Sequence, residues 1–324
     1  MNRRELVTAF LILAATRPKS AEAQQSSGKV WRIGYLYPGD LDNPSDHAAL
    51  DFFRAELGRL GFPEGRAILD AKGAKGKPDE LLALAKEIVD ARPDVVVAIA
   101  TPAIAAVQKT TSTIPIVMMP ATDPIGSGFI QSLAHPGGNI TGMANMYGDS
   151  IGKSIELLHG LLPNAKRVAV LMSANPTHPQ QLEIARAATS ALGLTVMPVV
   201  AVSQSDLQQA FAKMREDNCD ALFVLADPVR PPVVSLAAQS KILAVYQYAG
   251  YVDMGGLASY GAEFSSILRK GAEYVVRIIK GAKPTETPVE QPVKFEFVLN
   301  LNTAKQLGVS VPEAALNRAD RIIE

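Results

Sequence analysis

Residues 94–102 read DVVVAIATP, and residues 220–228 read DALFVLADP. Each is an Asp, six apolar residues, and then a capping-type side chain (Thr101 or Asp227) directly before a Pro. A continuous apolar run this short, stopped by Pro, reads as a strand buried on both faces, the kind found in parallel sheets covered by helices. The flanks of the two segments also match. Upstream of the first, RIGYLYPGD from Arg32 is a strand ending in a Pro-Gly turn. A helix follows over Ser45–Gly61, with Leu50, Phe53, Leu57 and Leu60 on one face and Gly61 as its stop. A strand near Ala67–Ala71 and a helix over Pro78–Ala91 complete that side. Downstream, a helix covers Ala103–Lys109 and a strand Ile114–Pro120.

The order restarts at Arg167 with RVAVLMSANP. Then come a helix over His178–Leu192, a strand over Thr195–Val200 and a helix over Ser205–Asp217. After the second apolar segment there is a helix over Val233–Gln239 and a strand over Ile242–Tyr248. Arg32 and Asp94 are 62 positions apart, Arg167 and Asp220 are 53 apart, and GGNITG (137–142) is echoed by GGLASYG (255–261). Alternating strands and amphipathic helices give an α/β fold with parallel sheets, and two copies of the unit give two lobes. Left over are a helix over Ala262–Gly281, with Ile267, Tyr274, Val275 and Ile278 on one face, a Pro-rich connector over Lys283–Pro292, and a strand over Lys294–Asn300. A short helix over Thr303–Gly308 and a polar tail to Glu324 end the chain. Elements left after two complete lobes imply that the chain crosses between them more than once.

The first two dozen residues do not fit this alternation. Arg3-Arg4, an apolar run from Leu6 to Ala15, and Ala21-Glu22-Ala23 are the three parts of a secretory signal peptide. The run is too short to span a bilayer, which takes about 20 apolar residues. Cleavage is expected after Ala23, leaving 301 residues with 28 basic and 30 acidic side chains. The whole chain balances 32 Lys and Arg against 32 Asp and Glu, with no basic face of the kind nucleic acid requires. A single Cys, Cys219, excludes an intramolecular disulfide framework and multi-Cys metal sites. No nucleophile elbow, HExxH, P-loop or CxxC motif occurs, and His47, His135, His159 and His178 are scattered; each suits a structural role.

Open parallel sheets bind ligands outside the carboxyl ends of their strands. Those ends are Tyr37–Asp40, Thr101-Pro102 and Ala121–Pro124 in the first copy. In the second they are Ser173–Pro176, Asp227-Pro228 and Tyr246-Gln247-Tyr248, with Asn145-Met146-Tyr147 between the copies. Plain helix capping accounts for Thr101 and Asp227. A functional reading adds an anion seat at the helix start by Thr101 and a carboxylate at Asp227 for an ammonium or hydroxyl, which together fit a zwitterion. Strand alternation puts Tyr246 and Tyr248 on one face, where their flat rings suit a planar ligand, although core packing competes for at least one. Tyr35 and Tyr37 invite the same two readings.

Several stretches resemble the substrate-binding proteins of ABC importers, the group that includes the tryptophan-binding TrpX type. They are RIGYL at Arg32, FFRAELGRLGFPEG at Phe52, the run from Pro93 to Met143 that contains HPGGNITG, RVAVLMSANP, DALFVLADP, GGLASYG, and the segment from Lys280 to Gly308. The resemblance implies a type I periplasmic-binding fold, two Rossmann-like lobes joined by a three-crossing hinge. It implies one lobe over residues 29–143 and 262–284, and another over 144–261 and 285–324. It further implies a periplasmic, monomeric protein without cofactor that passes a small solute to an inner-membrane permease and its ATPase. The implied cleft positions are Thr101, Thr122, Asp123 and Asn145 on one lobe, and Ala174, Asn175, Asp227 and the Tyr246–Tyr248 segment on the other. Many members carry Arg-Glu-Phe-like residues after the last strand, where this chain has Tyr248-Ala249-Gly250-Tyr251. The ligand therefore stays open between an aromatic amino acid and another small carboxylate or aromatic acid. A periplasmic sensor presenting its closed form to a membrane receptor shares every one of these features. A transcription regulator on the same core would need a helix-turn-helix ahead of Arg32, where the leader stands, and an exported enzyme would need nucleophile–base pairs that are missing.

Overall fold

The computed structural model describes residues 29–324 apart from Met146, Pro228 and Val229; the leader expected over 1–23 lies outside them. The first lobe is laid down by β1 (Trp31–Tyr37), α1 (Pro44–Arg59), β2 (Ala67–Gly73), α2 (Leu81–Asp90), β3 (Val95–Ile99), α3 (Ala100–Gln108), β4 (Ile116–Thr122) and β5 (Ile140–Asn145). The chain then crosses into α4 (Tyr147–Leu161) and builds the second lobe. That lobe comprises β6 (Arg167–Met172), α5 (His178–Ala191), β7 (Thr195–Val200), α6 (Gln204–Glu216), β8 (Ala221–Val224), α7 (Pro231–Ser240), β9 (Leu243–Tyr246), α8 (Ala249–Asp253) and β10 (Ala258–Ala262). It returns for α9 (Phe264–Ile279), and crosses a third time into β11 (Phe295–Asn300), α10 (Leu301–Leu307), α11 (Glu313–Leu316) and β12 (Arg321–Ile323).

The two sheets have the orders β2-β1-β3-β4-β5 and β12-β11-β10-β9-β8-β6-β7. All pairings are parallel except β10 with β11. The apolar segments that repeat in the sequence are the central β3 and β8, and every residue of both strands is buried. Helices on the two faces supply the cover. On α9, Ile267, Tyr274 and Val275 are fully buried and Ile278 nearly so, joining Phe53 and Leu57 of α1 in one core cluster. Burying each such side chain is worth about 1.5–3 kcal/mol, which explains why a helix late in the sequence packs back on the first lobe. Local signals set the helix starts. The Asn43 side chain accepts from the Ser45 N–H at the start of α1, and Ser203 and Asp206 form a capping box on α6.

Three of the differences between the structure and the sequence reading concern the crossings, the tail and the helix starts. The third crossing comes later than residue 285. The Thr141 hydroxyl donates to the Thr287 carbonyl, and the Val289 and Glu290 amides donate to Leu133 and Gly142, so residues 287–290 lie on the first lobe beside β5. A Pro-rich connector has no alternation from which that partner could be read. The polar tail contains β12, whose three residues are too few to show a strand pattern, yet they pair parallel to β11. Thr101 and Asp227 also do not cap their helices: α3 begins at Ala100, and α7 begins at Pro231 after an Arg230 N-cap.

Gly261 marks a close approach between β10 and the chain leaving β9. A Cβ at this position would sit 1.9 Å from the Gln247 carbonyl oxygen, a backbone atom that cannot rotate away. Gly261→Ala should therefore push β10 from the end of β9 and cost on the order of 1–3 kcal/mol, as overpacking does. Thermal unfolding would read this as a melting temperature lowered by several degrees; an unchanged one would refute the contact.

Candidate functional site

The carboxyl ends of β1, β3 and β4 in the first lobe face those of β6, β8 and β9 in the second, across a cavity of ≈ 410 Å³. Its first wall carries Tyr37, Ser45, Asp46, Ala100, Thr101 and Thr122. Its second carries Asn175, Ala226, Asp227, Tyr248, Asp253, Glu296 and Arg321, and the crossing before α9 adds Glu263, Phe264 and Ser265.

On the first lobe, the Thr101 hydroxyl oxygen accepts from the Thr122 N–H at 3.1 Å, tying the ends of β3 and β4 together. Ala100 and Asp123 flank that tie with φ of +63° and +44°. Neither is Gly, so each costs on the order of 1–3 kcal/mol and persists because its surroundings demand it, a situation that clusters at ligand sites. The first turn of α3 thereby lines the cavity, and first-turn N–H groups have no intrahelical partner. On the second lobe, Ala226 is held at both backbone groups. Its N–H donates to Gln247 Oε1 at 2.6 Å, and its carbonyl meets His178 Nε2 at 3.0 Å. His178 Nδ1 accepts from the Ser173 N–H at 2.8 Å. Both contacts are met by a neutral imidazole protonated at Nε2, and burial lowers the His178 pKa. This fully buried His ties the two cleft loops to each other and sets the position of Asp227.

Six sequence candidates meet in this cavity: Tyr37, Thr101, Thr122, Asn175, Asp227 and Tyr248. Asp123 and Asn145 do not line it; with Thr122 they line a second space of ≈ 220 Å³ beside the first crossing. Asp123 also caps its own loop, accepting from the Gly126 N–H. Ala174 is exposed and lines neither space. Tyr246 is 1% exposed, and its ring stacks on Tyr251 with centroids 4.6 Å apart inside the second lobe. The pairing with Tyr248 fails because β9 ends at Tyr246, so alternation does not carry to Tyr248.

Sequence reasoning misses most of the charge. Asp46, Asp253, Glu263 and Glu296 line the cavity as well as Asp227, opposed in the lining by Arg321. Asp46 is open to discovery, since it stands in the first turn of the helix after β1, the same topological place as Thr101 after β3. Glu296 and Arg321 arrive through the third crossing and the tail, where no pattern announces them. Tyr37 donates its hydroxyl to Asp46 Oδ1 at 3.0 Å, while Asp46 Oδ2 is buried without a hydrogen-bond partner among the described residues. Desolvation raises the Asp46 carboxyl from 3.8 to about 6, against the opposing hydrogen bonds from the Tyr37 hydroxyl and the Asp40 backbone.

That shift has a measurable sign. The folded state binds more protons than the unfolded chain between these two values, so this contribution to stability is complete below about pH 4 and is lost as pH rises through about 6. Asp46→Asn should stabilise the ligand-free protein at pH 7 by on the order of 3 kcal/mol, with the gain vanishing toward pH 4. Urea unfolding of both proteins at several pH values checks it, and the lowered pKa of His178 cancels because both proteins share that residue. A difference that stays constant with pH would contradict it.

The comparisons with known proteins agree with this geometry. A family model for ABC transporter substrate binding proteins matches residues 41–323. A tyrosine-binding protein from Clostridioides difficile (strain R20291) is 28% identical over 276 residues, 83% of this chain and 79% of the relative. The crystal structure of an ABC domain in complex with L-Trp from Streptococcus pneumoniae superposes with a TM-score of 0.83 and is 29% identical over 91% of this chain and 100% of its own. A conserved domain protein from Vibrio cholerae superposes at 0.82 with the same identity and coverage. With the family matched along nearly the whole described chain and the cleft placed between paired lobes, this protein belongs to the ABC transporter substrate binding proteins, which bind solutes and are not enzymes.

Proposed function

We propose that the chain captures an amino acid with an aromatic side chain in the interlobe cleft by hinge closure, and hands it to an ABC permease and its ATPase for import. The observation that carries this reading is the composition of the cavity, to which both lobes and one crossing contribute. A ligand that touches both walls binds the closed arrangement better than the open one, and that difference is what drives closure. The volume of ≈ 410 Å³ lies in the range of small-molecule sites. Tyr248 and Phe264 form an edge-to-face pair with centroids 6.1 Å apart, an aromatic wall for a flat side chain. The first turn of α3 offers N–H groups to a carboxylate. The ligands named for the relatives, tyrosine and L-Trp, point the same way.

The two bodies that move are the lobes divided at the three crossings, and the protein acts as a monomer. It works in the periplasm after its leader is removed behind Ala23; among the described residues no helix is long and apolar enough to cross a membrane. N-terminal sequencing of the exported protein should begin at Gln24, and a chain still starting at Met1 would refute export by this route.

Thermal unfolding of the protein starting at Gln24 tests the ligand. L-Trp, L-Tyr or L-Phe at 100 times the dissociation constant should add about 2.7 kcal/mol to stability and raise the melting temperature visibly. Sugars should leave it unchanged. A shift with sugars or aliphatic solutes and none with the aromatic amino acids would overturn this reading.

A further inference from the structure

Five carboxylates line the cavity, and four of them come with a cation from the protein itself. Asp227 Oδ2 lies 3.9 Å from Nε of Arg230, and Asp253 is paired with Arg321 at 2.6 Å. Glu263 is 3.8 Å from Lys294 and also accepts from the Ser265 hydroxyl. The positive charge of Arg321 acts on Glu296 as well. Asp46 is the exception. It is 8% exposed, no basic group acts on it among the described residues, and the one charge it feels, Asp40, has its own sign. One of its oxygens is clamped by Tyr37, the Asp40 backbone N–H gives the carboxyl a further, smaller stabilisation, and Oδ2 has no hydrogen-bond partner among the described residues. An ionised carboxylate in this situation lacks the pairing that buried charges otherwise have, and a cationic donor is the kind of partner that would supply it.

We propose that Asp46 is the seat of the ligand's ammonium group and, through it, the residue by which this protein selects amino-bearing solutes over their des-amino counterparts. Oδ2 accepts from the ammonium, and the Tyr37 hydroxyl, holding Oδ1, is the positioning group that keeps Oδ2 in place. Asp227 is not needed for this task, because its carboxylate already lies beside Arg230 and the clamp on Ala226 fixes it there. An ammonium at Asp46 and a carboxylate at the first turn of α3 would both sit on the first lobe, since Asp46, Ala100 and Thr101 line the same wall. The assignment rests on the reading of the cleft as the solute site.

Titration calorimetry with matched pairs tests it. The probes are L-tryptophan against indole-3-propionate, L-tyrosine against 3-(4-hydroxyphenyl)propionate, and L-leucine against 4-methylpentanoate. Wild type should prefer the amino member of at least one pair by about 100-fold. Asp46→Asn should weaken that member by about the same factor and leave the des-amino acid within a few-fold, so the preference collapses; Asp46→Ser serves as a second variant should the first not fold. Asp227→Asn should keep the preference. The proposal is overturned if Asp46→Asn weakens both members equally, if it leaves the preference intact, if Asp227→Asn abolishes the preference, or if wild type discriminates in no pair. Preference confined to the leucine pair would instead remove the aromatic reading and leave Asp46 standing.

Discussion

Parallel strands covered by helices on both faces have only their ends to offer a ligand. In this protein β3 and β8 are buried along their whole length, so the central strands offer a ligand neither of their faces. What remains is the row of carboxyl ends, where each strand passes into a loop or a helix start and backbone groups are left over from the ladder. Two such rows, brought opposite each other by a repeated unit, make a cleft whose walls are equivalent in topology and different in chemistry. The first wall has a helix start in Ala100 and Thr101; the second has a loop held rigid by a buried imidazole and an amide. Nearly every feature of the site stems from this placement.

The cavity also shows how a binding protein can hold stability below its attainable maximum. Left-handed φ values at Ala100 and Asp123, and a buried carboxylate with one oxygen unmatched, each make the ligand-free state less stable than it could be. All three lie at the carboxyl edge of the first sheet, while the core clusters behind them are closely filled with apolar side chains. Strain and desolvation concentrated at one edge is the pattern expected where function and stability compete.

The part of this molecule that can be read from sequence is the part governed by local pattern. Apolar runs ending in Pro mark the central strands, three-and-four spacing marks the buried face of α9, and strand ends bring Tyr37, Thr101, Thr122, Asn175, Asp227 and Tyr248 near one another. Errors arise where a tertiary choice overrides local pattern. Tyr246 and Tyr248 look like an alternating pair, but the strand stops at Tyr246 and stacking on Tyr251 takes that ring into the core. Glu296 and Arg321 reach the cavity through antiparallel β11 and short β12, whose partners lie far away in sequence. Asp46 escapes notice for a different reason: α1 announces itself through its apolar face, and a charged residue in a first turn is ordinarily only a helix-stabilising detail.

The crossings are more than connectors, because one of them contributes to the ligand cavity. Glu263, Phe264 and Ser265 lie where β10 passes into α9, and they line the space between the lobes. The Glu263 amide donates to the Lys294 carbonyl, which joins the second crossing to the third. Residues 287–290 are bonded to β5, whose last residue, Asn145, opens the first crossing, so the three threads are linked side by side. Rotation of one lobe against the other must be absorbed by a few backbone dihedrals in these threads. A ligand packed against Phe264 therefore touches the hinge itself as well as the two walls. If the lobes close on the solute as proposed, occupancy and lobe angle would be coupled at two places, through contacts made across the cleft and through the thread whose dihedrals set its width. A solute that fills the cavity but leaves Phe264 uncovered would gain the first coupling without the second, and binding and closure need not rise in proportion.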